Sequence, residues 1–187
     1  MLTQENQNIL LDIARASISH GLRQGQPLPI RLEEYPPALQ APRTSFVTLQ
    51  IDGQLRGCIG SLEAFRPLVE DVAENAFAAA FRDPRFPPVS DREFEQLDYH
   101  ISILSPSELI EFESENDLVN KLRPGIDGLV LEERGQRGTF LPSVWESLPS
   151  PRQFLAQLKV KAGLPADYWS DSIKVERYTV EDIKSVD

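Results

Sequence analysis

The chain has 187 residues, 41% of them hydrophobic, with a formal net charge of −10 and a single cysteine. That length sets one domain of ordinary size with a real core, and the acidic balance disfavours a general nucleic-acid footprint without excluding a local basic patch. One cysteine rules out an intramolecular disulfide framework, in keeping with a reducing cytoplasm.

The N-terminal MLTQENQNILLDIARASI is amphipathic and mixed in charge, and no run approaches membrane-spanning length, so neither a leader nor a membrane partner is expected. Thr3 to Leu22 reads as a helix, with Ile9, Leu10, Ile13, Ala14 and Ile18 at helical spacing and Gly21 and Gly25 at its end. Residues 26–42 hold five prolines and read as a long connection wrapping the surface. Thr44 to Gly60, TSFVTLQIDGQLRGCIG, reads as a β-hairpin closed by Asp52-Gly53, because a type I′ turn needs positive φ at both central positions. Residues 61–66 form a turn or short helix. Leu68 to Phe81 is the most secure helix: Pro67 suits its start, Glu70 and Asp71 its first turn, and Arg82 its end. Asp83-Pro84-Arg85-Phe86-Pro87-Pro88-Val89 is too rich in proline for regular structure.

Asp91 to Gln96 reads as a short helix and Leu97 to Leu104 as a strand. Ser105-Pro106 opens a polar connection, and Asn116 to Lys121 reads as a helix capped by Asn116 or Ser114. A second hairpin is expected from Gly128–Glu133 and Arg137–Leu141 around Arg134-Gly135-Gln136. A short helix over 143–147 and a clear one over Pro151–Ala162, stopped by Gly163, follow it. Ile173 to Val180 closes the fold as one strand. The class is α/β (α+β), with a central, mostly antiparallel sheet and helices on it. The Cys and His spacings match no metal motif, and no metal or cofactor is expected.

The chemistry-bearing stretch is the second strand of the first hairpin, Leu55-Arg56-Gly57-Cys58-Ile59-Gly60. A two-residue turn pairs Ile51 with Gln54, Leu49 with Arg56 and Val47 with Cys58, which sets Arg56 and Cys58 on one face of a sheet covered on both sides. Gly57 and Gly60 beside the cysteine mark a bulge or a close approach. One reading is an activated thiol, with Arg56 stabilising an anion and His100 as its base if the two strands are neighbours. The other is a small buried hydrophobe, with Arg56 at the sheet edge and His100 structural. Asp83, Arg85 and Phe86 either line a site or lock their loop by an ion pair and an apolar plug.

These stretches, with Asp83-Pro84-Arg85-Phe86, Ile101-Ser102-Ile103-Leu104, Gly125-Ile126-Asp127-Gly128-Leu129, Phe140-Leu141-Pro142 and Lys161-Ala162-Gly163-Leu164, resemble the AMMECR domain family, whose prokaryotic members are also called AmmeMemoRadiSam system protein A. The resemblance spans nearly the whole chain in motif order; Ser61 stands where the family carries threonine. It implies one AMMECR-type domain over residues 1–187, with a larger and a smaller subdomain. It also implies work beside a Memo-like protein and a radical-SAM-type enzyme, and Leu55 to Gly60 as the functional centre. It carries over no catalytic residue. An accessory subunit binding a partner or a small molecule, an enzyme with Cys58 as nucleophile, and a nucleic-acid-associated regulator all remain open.

Overall fold

A computed structural model describes residues 1–185. The elements are α1 (Gln4–Gln24), α2 (Pro37–Gln40), β1 (Thr44–Ile51), β2 (Gln54–Gly60), α3 (Leu68–Phe81), α4 (Asp91–Phe94), β3 (Asp98–Leu104), β4 (Glu108–Leu109), α5 (Glu115–Lys121), β5 (Gly128–Glu133), β6 (Gln136–Phe140), α6 (Pro151–Lys161), β7 (Lys174–Tyr178) and β8 (Val180–Lys184). Among the described residues, six α-helices and two four-stranded sheets make an α+β fold, as its alternating helices and hairpins led us to expect. No helix among the described residues is long and apolar enough to cross a membrane.

One compact unit comprises residues 1–104 and 181 onward. Its sheet has the order β2-β1-β3-β8, and the β1–β2 and β1–β3 pairs are antiparallel. Val47, Leu49, Ile101 and Ile103 point into a core shared with Leu10, Ala14 and Ile18 of α1 and Val69, Val72, Ala73 and Ala76 of α3. The Thr3 hydroxyl caps α1 through the Asn6 N–H, and Gly25, at φ 70°, stops it after Gln24, two residues beyond the expected end. Asp52 and Gly53 take φ of 51° and 73°, the turn their dipeptide calls for. Ser90 and Glu93 form a capping box that starts α4.

The other unit covers residues 105–180. Its sheet runs β4-β7-β5-β6, with antiparallel pairs throughout. Leu129, Leu131 and Val175 meet Leu118 of α5 and Phe154, Leu155 and Leu158 of α6, and the Trp145 ring stacks on Phe154 at 3.7 Å. Lys159 lies in this core with no exposed surface, ion-paired to Glu115 and 5.6 Å from the Trp169 ring centroid.

Four expectations are corrected. The sheet of the first hairpin is fully buried on one face only: Val47 and Leu49 are buried, whereas Thr48, Cys58 and His100 on the other face are half-buried. The second hairpin turns at Arg134-Gly135, both at positive φ, so β6 begins at Gln136. The connection after Leu104 contains a short strand, β4, paired with β7. The final strand is two: a break at Thr179 leaves β7 in the second sheet and sends β8 to the first.

Candidate functional site

The register of the first hairpin differs from the expected one by a bulge. Ile51 pairs with Gln54 and Gln50 with Leu55, but Leu49 then pairs with Gly57, Thr48 with Cys58 and Val47 with Ile59. Arg56 is the additional residue. The physical reason lies in α3. A Cβ on Gly57 would sit 2.1 Å from the Ala79 carbonyl oxygen, so only a glycine can oppose Leu49 there. Without the bulge that position would fall to Arg56.

Because of the slip, Cys58 leaves the side of the sheet that carries Val47 and Leu49. It stands opposite Thr48, and Thr48 stands opposite His100 on β3. The three therefore form a row on the face away from the core. The Thr48 hydroxyl donates to the Cys58 sulfur at 3.2 Å. At the far end, His100 Nε2 lies 2.9 Å from Asp182 Oδ1, and Ser102 Oγ donates to the same oxygen at 2.7 Å. Cys58 and His100 thus share a row but not a contact: two strand spacings put about 10 Å between their backbones, with Thr48 in the middle.

The backbone of Cys58 is held from the sheet edge. Its N–H donates to Asp83 Oδ2 at 2.9 Å and its carbonyl accepts from Arg85 at 3.4 Å. A carboxylate and a guanidinium thus stand where a neighbouring strand would put its own carbonyl and N–H, which closes the exposed edge. Asp83 is 4% exposed, and Arg85 binds it through Nε and Nη2. Those hydrogen bonds hold the Asp83 carboxyl well below the usual carboxylate range. Arg85 in turn is raised, first by its hydrogen bond to Asp83 and in smaller part by the charge of Cys58. Arg85, through its bond to the Cys58 carbonyl, is thus the guanidinium that stands beside the cysteine.

Arg56 is engaged elsewhere. Its Nε and Nη2 bind the two oxygens of Glu93 at 2.8 and 3.2 Å, and Nη2 also reaches the Pro87 carbonyl at 2.8 Å. The residue is 8% exposed, and its guanidinium and that of Arg85 lie 5.7 and 5.6 Å from the Phe86 ring centroid. The expected pairing of Arg56 beside Cys58 as an anion stabiliser is thus corrected. Leu55 is exposed near the hairpin tip, Gly57 lies under α3, Ile59 packs on the core, and Gly60 gives room to the Phe46 ring. Among the described residues, no three His, Cys, Asp or Glu side chains gather to hold a metal ion.

Two consequences are measurable. Removing Arg56 leaves Glu93 and Pro87 without their donor, so Arg56→Ala is expected to cost about 2–3 kcal/mol and lower Tm by about 5–10 °C. An unchanged Tm would show the guanidinium to be free for a ligand. The Arg56 hydrogen bonds also hold Glu93 at about 2, below its ordinary 4.5. A depressed carboxyl stabilises the fold above its unfolded value and loses that contribution as pH falls through its folded one. Acid unfolding should therefore draw on this pair between pH 4.5 and about 2, and Glu93→Gln should flatten that part of the stability curve.

Sequence reasoning missed Thr48, Glu93, Ser102 and Asp182. The Ser90-x-x-Glu93 capping pattern was a usable signal for Glu93. Asp182, 82 residues from His100, had none.

The chain matches the AMMECR1 family over residues 11–183. It is 37% identical to a protein of Methanothermobacter thermautotrophicus over 96% of this chain and 94% of that one. It is 36% identical to Protein MJ0810 of Methanocaldococcus jannaschii over 100% and 94%. The crystal structure of the uncharacterized protein PH0010 from Pyrococcus horikoshii resembles this one with a TM-score of 0.86 at 36% identity, covering 97% of this chain and 92% of that one.

Proposed function

This chain belongs to the AMMECR1 family, and on that premise we propose that it is an accessory binding subunit. It presents the Cys58–Thr48–His100 row to a partner or small molecule whose chemistry another protein performs. The partners the resemblance implies are a Memo-like protein and a radical-SAM-type enzyme. One observation carries this reading: among the described residues the Cys58 thiol is touched by a hydroxyl and by no base, while the His100 imidazole is spent on Asp182 one strand further on. Groups fixed at strand spacing on a rigid sheet suit recognition, whereas a nucleophile and its base need hydrogen-bonding reach.

Purified chain is titrated with the Memo-like and the radical-SAM-type protein of the same host. Saturable binding of either is expected, weakened at least tenfold by the double change Thr48→Val and His100→Ala with Tm nearly unchanged. Binding to neither, or binding indifferent to the double change, removes the proposal.

The shared face of Cys58 and His100 supports a second reading, a nucleophilic thiol served by the imidazole through Thr48. Alkylation by iodoacetamide separates the two. On the binding reading His100→Ala changes the rate at Cys58 by less than about twofold; a loss of tenfold or more would establish the coupling that general-base catalysis requires.

A further inference from the structure

The second unit contains a cavity of about 340 Å³ lined by Ser105, Pro106, Glu108, Arg123, Arg177, Tyr178 and Thr179. We propose that this cavity binds a small zwitterion of the α-amino-acid type, its carboxylate on Arg123 and Arg177 and its ammonium on Glu108. The proposal is independent of the thiol row.

The cationic side is built rather than adventitious. Asp127, with no exposed surface, is the acid of the Gly125-Ile126-Asp127-Gly128 stretch. Its Oδ1 accepts from Arg123 Nε and Nη2 at 2.9 and 2.6 Å, and its Oδ2 accepts from the Arg123 N–H at 2.9 Å. Oδ2 also lies 3.6 Å from Arg177 Nη1. Arg177 Nη2 is fixed on the Lys121 carbonyl at 2.9 Å. Its side chain is 19% exposed, because Arg177 shares the core-facing side of β7 with Val175. One buried carboxylate thus orients two guanidinium groups and neutralises only one of them. A bidentate partner for the remaining charge is a carboxylate or phosphate.

Glu108 decides between those two. It stands directly across from Arg177 in the β4–β7 pair, so the two side chains leave the same face about 5 Å apart. Among the described residues its carboxylate is in no ion pair within 4 Å, since Arg177 is turned to Asp127 and Lys121. The charge of Glu108 reaches Arg123 and helps raise it, after the larger effects of Asp127. An anion one strand from a held cation repels a phosphate and matches a carboxylate and an ammonium held on one carbon. The cavity is at the small end of the ligand-pocket range, as such a molecule requires.

The test uses the full chain and a local reporter. The Trp145 indole donates to the Asp127 carbonyl at 2.8 Å, and the chain has two tryptophans, so the indole N–H signals are simple to follow by NMR. The probes are L-alanine, acetate, methylammonium and inorganic phosphate, each to about 10 mM, where millimolar affinity is visible. L-alanine is expected to shift the Trp145 signal saturably, with acetate, methylammonium and phosphate at least tenfold weaker. Glu108→Gln, at an exposed position, should weaken L-alanine about tenfold and leave acetate unchanged or tighter. Arg177→Lys should weaken L-alanine and acetate alike. No saturable shift with L-alanine, phosphate or acetate binding as tightly as L-alanine, or a preference that survives Glu108→Gln would each overturn the proposal.

Discussion

Gly57→Ala is expected to cost about 3 kcal/mol or more, the upper end for overpacking and a large fraction of an ordinary domain's stability. The new methyl would stand 2.1 Å from the Ala79 carbonyl oxygen and 3.0 Å from its carbon. Both are backbone atoms in the last turns of α3, so no rotamer change relieves the clash. Either β2 or α3 must move by more than an ångström, and both are committed: β2 by its pairing with β1, α3 by the core it shares with α1. The requirement is one of space, since Gly57 is not among the positive-φ glycines. Trimming the side chain by Ala79→Gly would not rescue it, because the clash is with the main chain. Urea unfolding followed by circular dichroism measures the loss; a change below about 0.5 kcal/mol would contradict the close approach on which the bulge and the placement of Cys58 rest.

Asp71→Ala is the second large loss, at about 4 kcal/mol. Asp71 is 1% exposed in the first turn of α3 and serves four donors. Its Oδ2 accepts from the Ser45 N–H and hydroxyl, each at 2.7 Å, and from Asn75 Nδ2 at 2.9 Å. Its Oδ1 accepts from Arg66 Nε at 2.8 Å. Alanine would strand buried donors at the start of β1 and leave Arg66 without its counter-charge, and each buried group so stranded costs about 1–3 kcal/mol. Asp71→Asn keeps the shape but loses the charge and turns an acceptor into a donor, so an intermediate loss of about 2 kcal/mol is expected. Equal midpoints for wild type and Asp71→Ala in the same urea titration would show that the network contributes nothing.

The candidate site was legible only in its pieces. Cys58, Arg85, Asp83 and His100 were all singled out from their surroundings in the chain, and all four lie along the Cys58 strand edge or its row. What they do to one another was not legible. Arg56 looked like the partner of Cys58 because two residues along a strand return to the same face. The bulge cancels that rule, and its cause, the Ala79 carbonyl, is more than 20 residues away. The Asp83–Arg85 hold on the Cys58 backbone likewise joins residues 25 and 27 positions apart.

The sequence alone determined whatever is decided within a few residues. Asp52-Gly53 made its turn, the apolar spacing from Ile9 to Ile18 made its helix, and Gly25 and the Ser90–Glu93 pair set helix ends. Turn dihedrals, helical periodicity and capping are local energies, readable from side chains a turn apart. Tertiary structure alone decided the register of β2, the sheet that receives β8, and the row that joins Cys58, Thr48, His100 and Asp182. Those depend on which distant surface fills the space beside a strand, and a chain read one stretch at a time carries no record of that surface.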